Sequence, residues 1–248
     1  MSLQGWSLRW FWGDDTLSVY HDPTLQSALK HSLVLAAIVM VIATPLGTAL
    51  ALGLQRWRGR LSGPVNILML LPLVTPELVF AVGMFLLFTT AFGFIGLGTP
   101  AQVIGHVTFS LSWVVVIVRG RLATIGIDVE EAAADLGAPG HEIVRRVLLP
   151  LLMPGIAAGF LVVFALSIDD FVVAQYLSSG SDTTTVPMRI YSQARNAPTP
   201  ALNALATLLL VVSLLALVLA YVAFRVLSRG DRAGALEQLA TMDAGGGR

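Results

Sequence analysis

Five apolar runs, at roughly 32–54, 65–90, 101–118, 151–177 and 201–227, restrict this chain more than any other feature. Each is long enough to cross a hydrocarbon core about 30 Å thick as a helix. No water in that core satisfies a bare amide or carbonyl, so a spanning segment bonds its backbone within itself or closes into a barrel. Runs of this length are helices, and the expected fold class is an all-α integral membrane protein with about five transmembrane helices. Composition points the same way. Of 248 residues 56% are hydrophobic and 12% charged, with a mean hydropathy of +0.79. Soluble domains carry about twice that charge, roughly 25%. The absence of cysteine excludes a disulfide framework, a thiol nucleophile and a cysteine-ligated metal. The opening MSLQGWSLRWFWGDD has no basic segment leading into an apolar run, so no cleavable signal peptide is expected.

Lysine and arginine set the expected orientation. Arg56, Arg58 and Arg60 follow the first run; Arg119, Arg121, Arg145 and Arg146 lie between the third and fourth; Arg225, Arg229 and Arg232 follow the fifth. The opposite side has Arg9, Lys30, Arg189 and Arg195. Positive charge gathers on the cytoplasmic side, which places the 128–150 loop and the C-terminus in the cytoplasm and the N-terminus outside. Residues 1–28, with Trp6, Trp10, Phe11, Trp12 and Tyr20, read as an external interfacial segment. A single nearby base, Arg9, excludes nucleic-acid stacking as their use. Asp22 followed by Pro23 is an N-cap with proline at the first helical position. Residues 29–227 then form the transmembrane domain and 228–248 a cytoplasmic tail.

One interior stretch is polar and charge-dense: Asp128 to Pro150, DVEEAAADLGAPGHEIVRRVLLP. Asp128 with Glu131 three residues on reads as a capping box opening a short helix over 129–136. Gly137, Pro139 and Gly140 end it, and a second helix is expected from about His141 through Pro150. Glu131-Ala132-Ala133, then Gly137, then Val147-Leu148-Leu149-Pro150, resembles the EAA motif of the permease subunits of bacterial ABC importers, with Val147 where the family usually has Ile. The resemblance implies the type I importer-permease fold, with this loop as a cytoplasmic coupling helix seated in a cleft of the ATPase. Glu131, Ala132, Ala133, Gly137, Val147, Leu149 and Pro150 become the coupling residues. Relatives usually have six spans, and this chain starts where their first external loop lies.

Three carboxylates lie inside apolar runs: Glu77, Asp169 and Asp170. An ionised group at mid-bilayer costs about 3 kcal/mol or more, so each is a functional candidate. At ~1.5 Å per residue, Glu77 lies about 20 Å and Asp169 about 27 Å from the inner surface, in the outward half. Neighbouring helical positions diverge by ~100°, so Asp169 and Asp170 do not share one face; one of them is expected to bind backbone or a neighbouring helix instead. Pro72 and Pro76 remove two helical amide donors just before Glu77, which predicts a kinked or broken second span.

The loop SSGSDTTTVPMRIYSQARNAPTP at 178–200 ends in Thr199-Pro200, a cap for the fifth helix. With the preceding SIDDFVVAQY and the following NALAT it resembles the permeases of spermidine/putrescine importers, most nearly the second of their two permease subunits. That implies a cationic polyamine as substrate, delivered by an external binding protein. It also implies a homologous permease as the other half of a heterodimeric pore, and two cytoplasmic ATPase subunits. Another small solute carried by a related permease is the alternative. No P-loop is present, no cofactor is called for, and His21, His31, His106 and His141 have no metal-ligand spacing. An intramembrane serine protease using His106 with Ser110 or Ser112 lacks any supporting context. A proton-coupled carrier relaying through Glu77 and Asp169 would have no use for the 128–150 loop.

Overall fold

The computed structural model describes residues 8–13, 18–57, 59–196 and 200–227, and these are helical throughout their ordered elements. Trp6, Arg58, the Thr199 cap, Arg229, Arg232 and the 228–248 tail lie outside the described residues. After a single turn, α1 (Arg9–Trp12), the first long helix is α2 (Pro23–Arg56). The side chain of Asp22 accepts hydrogen bonds from the amides of Thr24, at 2.8 Å, and Leu25, at 3.3 Å. These are two of the amides that a helix start leaves without partners.

The second apolar run is two helices. α3 (Ser62–Val74) and α4 (Glu77–Leu86), extended by a π-wide turn at Leu87–Ala91, meet at 110°. The cause is Pro76, whose ring excludes the helical conformation at the residue before it. Thr75 has ψ 131° and Pro76 ψ 131°, both extended. α5 (Thr99–Ile125) is unbroken.

The fourth run also departs from one continuous span. A turn at α7 (Gly140–Glu142) and a π-wide stretch at Ile143–Leu148 lead into α8 (Leu149–Asp169). Pro150 has no amide to offer Arg146, and the turn before it widens. The helix stops at Asp170, with ψ 127°, and resumes as α9 (Val172–Leu177). No proline marks that break. Beyond it come α10 (Val186–Asn196) and α11 (Pro200–Leu227). Among the described residues four helices are thus long and apolar enough to cross a membrane, and the bent α3–α4 pair is the fifth candidate.

α2 and α5 run parallel, in contact near both ends. His31 Nε2 meets Gln102 Oε1 at 2.9 Å near their starts, and Arg56 pairs with Glu130 just past their ends. α8 runs antiparallel to both, with Arg121 Nε donating to the carbonyl of Leu151 at one end and His106 bonded to Ser167 at the other. Leu35, Val39, Val114, Val118, Leu152 and Val163 fill the space among these three helices. α11 lies along α8, with Ile168 and Leu205 in a second cluster.

The polar loop forms α6 (Asp128–Asp135). Asp128 is not its cap: Ile127 precedes the helix, and its carbonyl accepts from the amides of Glu130 at 2.9 Å and Glu131 at 3.1 Å. Asp128 instead joins Glu130 and Glu131 in the first turn, beside the positive end of the helix dipole. The other end is as expected. Gly137 has φ +85°, and the amides of Gly137 and Ala138 return to the carbonyls of Ala134 and Ala133, at 2.8 and 3.1 Å. This pair of bonds needs a left-handed residue that glycine adopts without penalty.

Candidate functional site

Glu77, Asp169 and Asp170 come from two distant stretches of sequence and line one cavity of about 390 Å³. Each owes its place to a helix interruption or end. Glu77 is the first residue of α4, immediately after the Pro76 break. Asp169 ends α8, and Asp170 stands between α8 and α9. The two neighbours diverge. Asp169 is exposed, whereas the Asp170 side chain is only 8% exposed and accepts the amide of Ala174 at 2.9 Å. That amide would otherwise be an unpaired donor at the start of α9. Glu77 lies against Asp170. Two helix interruptions therefore bring their carboxylates together, and within a membrane interrupted helices are tolerated only around a cavity or within protein.

The remaining wall is aromatic and weakly polar. Phe109 and Trp113 present rings from α5, and Ser213 comes from α11. The Ser213 hydroxyl is buried with no hydrogen-bond partner among the described residues. Carboxylates, ring faces and an unsatisfied hydroxyl together suit an elongated ligand with ammonium groups and methylene spacers.

Behind the cavity, buried polar side chains fix the segment from α9 to α10. Gln102, fully buried, donates to the carbonyls of Ala174 at 2.9 Å and Thr183 at 3.0 Å. Ser32 Oγ accepts the amide of Val186 at 2.8 Å. Gly105 lets α9 sit directly on α5: a Cβ there would stand 2.5 Å from Leu177 Cδ1 and 2.9 Å from Val173 Cγ1.

The far end of the bundle has a different character. α6 buries none of its residues, and Leu136 just beyond it is 90% exposed. Glu131, Ala132 and Gly137 are exposed, and Ala133 is half-buried. Val147 and Leu149 are half-buried on the turn entering α8, and Pro150 is exposed. The Arg56–Glu130 ion pair ties α6 to the end of α2, beside a second cavity of about 440 Å³ that reaches Leu122 and Ile127. α6 is thus an uncovered, charged helix at this end of the bundle.

Residues 43–230 match the family of binding-protein-dependent transport system inner membrane components. The chain belongs to this family. It is a multi-pass inner membrane component with the type I ABC-importer permease fold. It is 36% identical over 231 residues to the spermidine/putrescine transport system permease protein PotC of Escherichia coli K12, covering 93% of this chain and 84% of that one. The molybdenum transport system permease protein ModB of Mycobacterium bovis is 37% identical over 209 residues, covering 78% of this chain and 77% of its own. Among solved structures, a bacterial ABC transporter involved in the import of the acidic polysaccharide alginate superposes with a TM-score of 0.70. Its identity is 17%, over 84% of this chain and 81% of that one, so it speaks for the fold alone.

Phe109, Trp113 and Ser213 line the cavity without a signal in the sequence, and His106, read there only as a histidine without metal spacing or protease context, stands beside it. Weakly polar residues recur through the run that holds the two rings, Gln102, Thr108, Ser110 and Ser112 among them, and nothing in the spacing separates a cavity wall from a lipid face. The protease alternative also loses its geometry. His106 bonds Ser167, at 2.9 Å, and Ser112 donates to the carbonyl of Met69, at 2.5 Å.

Proposed function

We propose that this chain is half of the transmembrane pore of an ATP-driven importer and that it passes a polyamine of the spermidine/putrescine class through the carboxylate-lined cavity. One observation carries the reading: three intramembrane carboxylates converge on a single cavity with two aromatic rings. An ammonium group entering the membrane loses hydration and needs fixed negative partners. The same lining would repel an oxyanion. Glu77, Asp169 and Asp170 take the substrate ammoniums, Phe109 and Trp113 the methylene chain, and Ser213 an additional N–H.

The other half of the pore is a homologous permease in a heterodimer. Two cytoplasmic ATPase subunits hydrolyse ATP, and an external binding protein delivers the substrate. α6 is the coupling helix, with Glu131, Ala132, Ala133 and Gly137 on its body and turn, and Val147, Leu149 and Pro150 support it from the π-wide stretch and first residues of α8. In this orientation the α6 end is cytoplasmic, as is the 228–248 tail, and residues 1–28 lie outside against the membrane. The deciding experiment is uptake of radiolabelled putrescine, spermidine and molybdate by proteoliposomes holding the assembled importer. ATP-dependent accumulation of the amines and not of the oxyanion is expected; the reverse overturns the substrate assignment. Accumulation driven by a proton gradient without ATP overturns the importer class.

A further inference from the structure

His106 is the one buried imidazole beside the cavity, and the transport scheme above gives it no task. Its ring, on α5, straddles the break between α8 and α9. Nδ1 is 2.9 Å from Ser167 Oγ in the last turn of α8, and Nε2 is 3.5 Å from Asp170 Oδ1 at the approach to α9. The side chain is 2% exposed, and Nε2 makes no hydrogen bond among the described residues. A carboxylate offers only lone pairs, so Nε2 facing Asp170 is stable only when it carries hydrogen. A neutral ring then takes the hydroxyl proton of Ser167 at Nδ1, and that bond fixes the tautomer.

We propose that His106 is a positioning residue for Asp170: clamped by Ser167, its Nε2–H holds the carboxylate at the rim of the cavity for a substrate ammonium. Asp170 is otherwise held from its own helix start, through the Ala174 amide on the same Oδ1, with Glu77 alongside it. That bond satisfies α9 wherever α9 goes and does not orient the carboxylate towards α5. His106 supplies the contact from a different helix, α5. The gap of 3.5 Å exceeds a hydrogen bond by a few tenths of an ångström. A small rotation of α9 about Asp170 closes it, so the clamp tightens or slackens with the break itself. Neither the Ala174 amide nor His106 engages Asp170 Oδ2. The inference rests on the polyamine reading only for the identity of that ligand.

The test uses two amides of different reach in the assembled importer. Gln places a donor near the Nε2 position, whereas Asn reaches only to that of Nδ1. A Val162→Cys reporter in the cavity wall, unambiguous in a chain without cysteine, is treated with trimethylammonium- and sulfonate-bearing methanethiosulfonates. His106→Asn is expected to lower the cation-to-anion rate ratio about fivefold, and His106→Gln to retain most of it. KM for putrescine should rise in His106→Asn with Vmax unchanged, and adding His106→Asn to Asp170→Asn should change neither. An unchanged reagent ratio in His106→Asn, equal loss in both amides, or an additive effect on Asp170→Asn overturns the positioning role. A ratio that falls while putrescine and spermidine uptake keep their wild-type KM upholds the role of His106 and overturns the polyamine reading instead.

Discussion

Glu77 and Asp170 meet at one cavity because each stands at a helix interruption: Glu77 opens α4 after the Pro76 break, and Asp170 lies between α8 and α9 with its carboxylate on the Ala174 amide. Two breaks in separate apolar runs are thereby stacked on one another. The charged groups sit where free helical amides offset part of their burial. An unbroken helix in either run would carry its carboxylate without such amides, at the full penalty of a charge in hydrocarbon.

Neutral amides at the carboxylates test the substrate reading. In proteoliposomes, Glu77→Gln and Asp170→Asn are each expected to raise KM for spermidine about tenfold. A carboxylate–ammonium contact nets ~1–2 kcal/mol once desolvation is counted. Asp169→Asn should have a smaller effect, since its exposed carboxylate is better screened. Unchanged kinetics in all three would make these carboxylates structural.

Coupling should depend on the backbone at Gly137. Nothing lies within 4 Å of a Cβ built there, so the obstacle to substitution is conformational and not steric. Gly137→Val should abolish ATPase stimulation by loaded binding protein while the subunit still inserts. Gly137→Ala, with a left-handed penalty of about 1–2 kcal/mol, should be intermediate, and Gly137→Asn close to wild type. Equal activity of the Val and Asn variants would remove the turn from the coupling scheme.

The seating of α9 on α5 should be sensitive to one methyl group. Gly105→Ala pushes against Leu177 and Val173 and tilts α9, carrying the Ala174 amide and Asp170 with it. Overpacking of this kind typically costs about 1–3 kcal/mol. Uptake should fall several-fold more than thermal stability would suggest, and Leu177→Ala in the same chain should restore part of it. Failure of the second change to restore uptake would exclude the contact as the cause.

Topology is read with single cysteines. Ser181→Cys, exposed on the loop before α10, should react with an impermeant maleimide added to intact cells. Ala138→Cys, after α6, should react only once the cells are permeabilised. The opposite labelling pattern would invert the orientation and with it the coupling role of α6.

Run length alone determined most of the membrane architecture, because a hydrocarbon core accepts only segments that satisfy their own backbone. The same local chemistry made Asp22-Pro23, the Pro76 break and the Gly137 turn readable, since each acts within a few residues. The capping box at Asp128 misled for a local reason too: Ile127 ends the preceding connection, and the helix starts one residue earlier than the pattern implied. What tertiary structure decided is which sides of the helices face one another. In a soluble helix polar and apolar faces differ, but α8 is apolar all round, because lipid and protein interior make the same demand on it. Periodicity therefore could not place Phe109, Trp113 and Ser213 around one cavity or set Ser167 against His106. The stop at Asp170 was equally hidden. Its cause is a carboxylate that bonds Ala174 and is met by an imidazole from α5, and only the packed bundle brings that imidazole there.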